Sequence, residues 1–210
     1  MFTINETKLK GRCVIASVPL KKGTIILKET PLICAEDAYD AIYQLYNLDI
    51  SDLTEDEEEE VKYKQQQFES LIPFTLDNSI ISYDEILNDI KTLPQYMQDF
   101  FINMKPDRLR LLIAKFYRNA FKNQRQTTSV PVSAVLIKGA LFNHSCCNNI
   151  DFYISSKGDF IFETNCDIMS GEELCDTYLD TTLSIKKRQK QLKSQYNFIC
   201  TCNKCINHLQ

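Results

Sequence analysis

Apolar and polar positions repeat with different periods in different parts of the chain. Near the N-terminus, "GRCVIASVPLKKGTIILKE" sets short β-branched runs on either side of Pro19 and Gly23, which predicts two strands joined by a turn and the opening of a small β domain. In the middle the period lengthens. "AYDAIYQLYNL" carries Ile42, Leu45, Tyr46 and Leu48 at helix-like spacing, and "DRLRLLIAKFYRNAF" puts Leu109, Leu112, Ile113, Phe116 and Phe121 near one face. Toward the C-terminus, "IDFYIS" and "DFIFET" flank Lys157-Gly158 as strand, turn and strand. "LSIKKRQKQLKSQYNF" then places Ile185, Leu192 and Tyr196 at helical intervals, with its lysines and arginine outward. There is no internal repeat.

The five glycines, at positions 11, 23, 139, 158 and 171, divide the chain into a turn-rich flank, a glycine-free stretch from Thr24 to Lys138, and a second turn-rich flank. The acidic run "DLTEDEEEE" in that stretch is read as a solvated helix face or a flexible segment rather than a docking surface for basic peptides. The basic stripe near the C-terminus is read the same way.

With 210 residues and 44% hydrophobic positions, one domain with a sizeable core is expected. A net charge of -4 gives no electrostatic footprint for direct nucleic-acid binding. No window approaches the roughly 20 apolar residues of a bilayer span, and no leader pattern opens the chain, so no membrane association and an intracellular location, nucleus or cytoplasm or both, are expected. Nine cysteines, an odd number unevenly spread, suit a reducing compartment and metal binding better than a disulfide scaffold.

The densest chemistry is "CTCNKC", where Cys200, Cys202 and Cys205 lie within six residues. Three thiolates close together suit zinc, which takes four ligands in a tetrahedron when its role is structural. From spacing alone the fourth ligand stays open among His208, Cys146 and Cys147, then Cys166 and Cys175. His144, beside Cys146 and Cys147 in "FNHSCCNN", also suggests a cysteine nucleophile with its base. However, a spacing of two or three residues in one turn predicts poor mutual geometry, and no orienting acid is evident.

In order, the chain contains "KGRCVIASVPLKKGTII", "RNAF", "LFNHSC", "SGEELCDTY" and "RQKQLKSQYNFICTCNKC". This set resembles the SET domain of protein-lysine methyltransferases, in particular the SMYD type. The likeness is close over residues 8 to 40 and 109 to 206. It implies an α+β, β-rich SET fold of small curved sheets with a knot-like C-terminal core. Residues 1-199 would form the SET domain, with a helical insert at about 35-130, and residues 200-210 a zinc-binding post-SET tail. No MYND-type zinc module is visible in the insert.

The resemblance further implies S-adenosyl-L-methionine as cofactor and a protein substrate, histone or other, that presents a lysine. Tyr178 matches the catalytic tyrosine. Lys10, Gly11 and Arg12 match the cofactor loop, and Asn143 and His144 match the pair that meets the cofactor's amino and adenine groups, the histidine largely through its backbone. Asn119 resembles a further cofactor asparagine, and Tyr196 and Phe198 match aromatics that enclose the adenine. Cys146 matches the ligand that completes a structural Zn²⁺ site with Cys200, Cys202 and Cys205.

A lysine of pKa about 10.4 needs roughly 4 to 5 kcal/mol to expose its neutral amine at pH 7, which a dry channel would reduce. One departure concerns the cofactor. The family's second opening glycine is Cys13 here, and a side chain at positive φ would cost about 1 to 2 kcal/mol. Together with the missing accessory module, this motivates the alternative of an inactive, zinc-stabilised SET-like interaction module.

Overall fold

The computed structural model describes residues 1–7, 10–48, 51, 53–77, 80–122 and 133–206. The chain divides into two compact units, Met1–Pro31 with Lys138–Gln210 and Leu32–Ile137. The expected insert, about 35–130, falls inside the second.

The first unit opens with β1 (Phe2–Thr7) and β2 (Gly11–Ala16), an antiparallel hairpin running from Phe2↔Ala16 to Thr7↔Gly11. Gly11, at φ 68, takes the left-handed conformation that a side chain would resist. Cys13 lies within β2 opposite Asn5, 2% exposed. Among the described residues Asn197 alone combines positive φ with a side chain, so the strain anticipated at Cys13 is absent. The two runs flanking Pro19 and Gly23 are both strands, β2 and β3 (Ile25–Glu29), yet they belong to different sheets.

The second unit begins with β4 (Ile33–Ala35) and α1 (Ala38–Tyr46), capped by the Asp37 carboxylate. Next come α2 (Glu55–Glu69) and α3 (Tyr83–Ile90), each opened by a capping box, Thr54 with Glu57 and Ser82 with Glu85. Each cap contributes about 1 kcal/mol by satisfying end amides that have no intrahelical partner. Residues Glu55 to Glu60 of the acidic run open α2, where Glu58 and Glu60 pair with Lys62 and Lys64 one turn on, at 2.5 and 2.6 Å. These charges lie on a solvated face, and Phe68 is the one residue α2 buries.

The short α4 (Gln95–Phe101) precedes α5 (Pro106–Asn119), which packs on α1, α2 and α3 through Leu109, Leu112, Ile113 and Phe116. Phe121 belongs to β5 (Ala120–Lys122) rather than to that helix face. β6 (Ser133–Val135) lies between β4 and β5 in a three-stranded antiparallel sheet.

Back in the first unit, β7 (Asn143–His144) precedes β8 (Ile150–Ile154) and β9 (Phe160–Thr164), an antiparallel hairpin turned at Gly158. β3 adds to its free side, giving the order β3-β9-β8. Phe142, Phe152 and Phe160 with Phe162 form an aromatic layer beneath this sheet, with centroids 5.2 to 5.7 Å apart. β10 (Cys175–Asp176), α6 (Ile185–Tyr196) and α7 (Asn203–Ile206) complete the unit.

Candidate active site and metal centre

The segment Gly171–Tyr178 lies between two strands and draws three distant motifs together. On one side it runs along β2, with Ala16 N–H donating to the Glu172 carbonyl and Leu174 N–H to the Val14 carbonyl, at 2.9 and 2.8 Å. On the other side β10 pairs in parallel with β7, Cys175 opposite Asn143 and Asp176 opposite His144. Asn149 secures the crossing. Its amide donates to the Glu173 carbonyl and its oxygen accepts from the Cys175 N–H, at 2.9 and 2.8 Å.

Glu173 holds the predicted cofactor residues in register. One carboxylate oxygen meets the Lys10 ammonium at 2.5 Å, and the other accepts from the Asn143 amide at 2.9 Å. That Asn143 nitrogen also donates to the Arg12 carbonyl at 2.7 Å. Both amide hydrogens are thereby used, and the Asn143 side-chain oxygen is left as an acceptor. The hydrogen bond to Glu173 raises the Lys10 pKa. Neither Glu173 nor Asn149 appeared among the predicted site residues. The second Glu of "SGEELCDTY" was the available signal, and only the pairing of β10 with β7 gives it this use.

Tyr178 donates its hydroxyl to the Phe142 carbonyl at 2.7 Å, while its backbone N–H donates to His144 Nδ1 at 3.0 Å. Burial, with the nearby Tyr196, pushes the phenol above its ordinary pKa, so it stays neutral at physiological pH. Tyr196 stands 4.9 Å from the Tyr178 ring, and Phe198 lies 6.0 Å from His144. Between the two aromatics, Asn197 takes the left-handed conformation that ends α6, the cap position usually given to glycine.

Asp176 is 3% exposed, and burial raises its carboxyl to about 7 against the opposing hydrogen bond from Thr177 N–H, with the Asp151 charge adding to the rise. Burial, aided by the Arg188 charge, lowers His144 to about 4. Asn119 lies in the helical unit, where its amide nitrogen donates to the Ile72 and Lys115 carbonyls at 2.6 and 2.7 Å.

The sulfurs of Cys146, Cys200, Cys202 and Cys205 all lie within 4.8 Å of one another. A zinc tetrathiolate with bonds of about 2.3 Å requires sulfurs about 3.8 Å apart. The Cys146 sulfur lies 4.0 Å from that of Cys200 and 3.6 Å from that of Cys205, and all four thiols are free of disulfides, so the cluster fits a structural zinc ion. The four could hold the metal without His208, which lies outside the described residues.

Two neighbours from α6 frame this cluster. Gln189 exchanges reciprocal hydrogen bonds with the Cys200 backbone, at 2.7 and 2.9 Å. Arg188, expected outward with the lysines, is instead buried, with Nε 3.2 Å from the Cys146 sulfur. Against the spacing argument, His144 Nε2 does reach the Cys146 sulfur, at 3.3 Å. This is not a nucleophile with its base. Cys146 is 4% exposed among three other sulfurs, burial raises its pKa, and the histidine's other nitrogen is taken by Tyr178. Cys147 and Cys166 are exposed and outside the cluster, while Cys175 is buried elsewhere.

A SET domain family model matches residues 11–179. A putative SET domain-containing protein of Acanthamoeba polyphaga mimivirus is 31% identical over 208 residues, covering 95% of this chain and 75% of that protein. The N-lysine methyltransferase SMYD2-B of Xenopus laevis is 32% identical over 142 residues, covering 67% of this chain and 32% of its own length. Among solved structures, Rubisco LSMT bound to sinefungin and monomethyllysine superposes with a TM-score of 0.57 at 16% identity, over 95% of this chain and 52% of that one. A likeness at this identity concerns the fold. The chain thus spans about a third of the Xenopus relative and about half of the Rubisco enzyme.

Proposed function

The chain belongs to the SET-domain family, and from that membership we propose that it is an S-adenosylmethionine-dependent protein-lysine N-methyltransferase, acting on a lysine of a histone or another protein. Residues 1-199 serve as the SET domain with its helical insert, and residues 200-210 as the post-SET tail. Its working place is intracellular, nucleus or cytoplasm or both. Among the described residues no helix is long and apolar enough to cross a membrane.

The observation that carries this reading is the convergence on Tyr178. The first flank, the Asn-His-Ser segment and the Gly-Glu-Glu segment meet where that hydroxyl is fixed on the Phe142 carbonyl. The cofactor, when bound, supplies an electrophilic methyl on a sulfonium. Asn143 offers an acceptor oxygen for its ammonium, the backbone of Lys10 to Arg12 would approach its methionine end, and the Arg12 guanidinium can lie over its uncharged adenosine while Lys10 stays paired with Glu173. Tyr196 and Phe198 supply faces for stacking.

Because the Tyr178 proton is held by Phe142, its oxygen presents lone pairs. A neutral phenol so placed orients an amine N–H and aligns the nitrogen for in-line attack without itself acting as a base. The lysine ammonium would first give its proton to solvent, and its neutral nitrogen would then bond to the methyl carbon as the sulfonium carbon–sulfur bond breaks, leaving a neutral thioether. Asn119 is assigned to the cofactor on the resemblance. The reading of an inactive module drew on Cys13 and on the missing accessory module; Cys13 sits in a strand without positive φ, which removes the first of these motives only.

The test is incubation of purified protein with labelled S-adenosylmethionine, a histone panel and whole-cell extract. Label transfer to lysine is expected, falling about 100-fold or more in Tyr178→Phe with cofactor binding retained. Absence of cofactor binding by calorimetry in the unaltered protein overturns the enzyme reading.

A further inference from the structure

Arg188 is buried beside the sulfur cluster, at 3% exposure, and its guanidinium points at sulfur on two sides. Nε lies 3.2 Å from the Cys146 sulfur and Nη2 3.7 Å from that of Cys205, while Nη1 donates to the Leu183 carbonyl. No carboxylate among the described residues pairs with it. A buried guanidinium without an anion is strongly unfavourable. The sulfurs are therefore its counter-charge, and four thiolates around a divalent zinc leave a net charge of about -2 for it to offset.

The geometry also decides which sulfurs benefit. Cys146 comes from the body of the unit and Cys205 from the tail, 59 positions later, and the planar guanidinium fork spans one of each. A lysine, as a single point charge on a flexible stem, has no such fork. N–H···S bonds fix the direction of the sulfur lone pairs and draw off part of their charge, so the remaining lone pairs converge on the metal. The helix that carries Arg188 also fixes the Cys200 backbone through Gln189.

We propose that Arg188 is an outer-shell positioning residue of the zinc centre, a fixed counter-charge that joins the body and tail ligands and sets how tightly the metal is held. This rests on the reading of the four cysteines as a zinc site.

The experiment is competition for zinc between a chromogenic chelator and the unaltered protein, Arg188→Lys, Arg188→Gln and Arg188→Met, with cobalt substitution as a second readout. Zinc affinity is expected to fall about 10- to 100-fold in the variants, least in the lysine, with the sulfur-to-cobalt charge-transfer bands shifted. After the metal is stripped, the variants should unfold no earlier than the stripped unaltered protein, a result that a purely structural arginine would not give. If Arg188→Met does not fold, the lysine and glutamine variants decide. Zinc retention in both equal to the unaltered protein overturns the role of Arg188. Failure of the unaltered protein itself to give a cobalt–thiolate spectrum overturns the metal site, and the inference with it.

Discussion

The backbone N–H of Tyr178 donates to His144 Nδ1 at 3.0 Å, which leaves the ring proton on Nε2, directed at the Cys146 sulfur 3.3 Å away. The imidazole therefore links the backbone of the proposed catalytic residue to a proposed metal ligand. His144→Phe keeps the ring volume and removes both bonds. Two buried partners lose a hydrogen bond, so stability in urea should fall by roughly 1 to 3 kcal/mol, with faster loss of zinc. An unchanged unfolding midpoint would sink the linkage.

Glu173 orders Lys10 and Asn143 through different oxygens, so two substitutions separate the two effects. Glu173→Gln keeps an acceptor for Asn143 and should hold cofactor affinity within about threefold, whereas Glu173→Ala leaves Asn143 unfixed and should weaken it by about tenfold. Calorimetric titration measures both, and equal affinities in the two variants would contradict the orienting role.

Asp176 should leave a pH signature. Its folded value of about 7 lies above its ordinary 3.8, so between those values the folded protein keeps a proton that the unfolded chain has lost. Stability from this group is therefore lost as pH rises from about 4 to about 7, by as much as about 4 kcal/mol. His144 acts in the opposite sense: its value is lowered from 6.5 to about 4, and its contribution is lost as pH falls. The difference between Asp176→Asn and the unaltered protein isolates the carboxyl. It should grow in favour of the variant from pH 4 to 7 and then level off, and a flat difference would refute the burial effect.

Removing the body's ligand should free the tail. Cys146→Ser is expected to lower bound zinc below one per chain and to open the chain beyond Tyr196 to limited proteolysis, because three tail sulfurs leave the tetrahedron incomplete. His208→Ala should leave zinc content unchanged. Full zinc retention in Cys146→Ser would remove that residue from the site.

Much of this was legible in the chain. Strand and helix periods marked β2, β3, β8, β9, α1, α5 and α6, since one buried face imposes a repeat of two or of 3.6. The helices α3 and α4 escaped notice because each is short, eight and seven residues, and their burial rests on few positions. The run from Ile185 gave the helix but not its inward arginine. Charge ordinarily marks the solvent face, and only the sulfurs from residues 146 and 205 make burial of Arg188 tolerable.

By itself the sequence determined the longer periodic elements, the ordered motifs and the supply of thiols, because those depend on local period and residue type. The tertiary structure decided which atoms meet. Parallel pairing of β7 with β10 joins segments more than thirty positions apart, and from it follow the Glu173 bridge, the tautomer of His144 and the convergence of Cys146 with the tail. Such contacts are set by long-range register, in which a shift of one residue would turn every side chain to the opposite face, and no local pattern encodes that register.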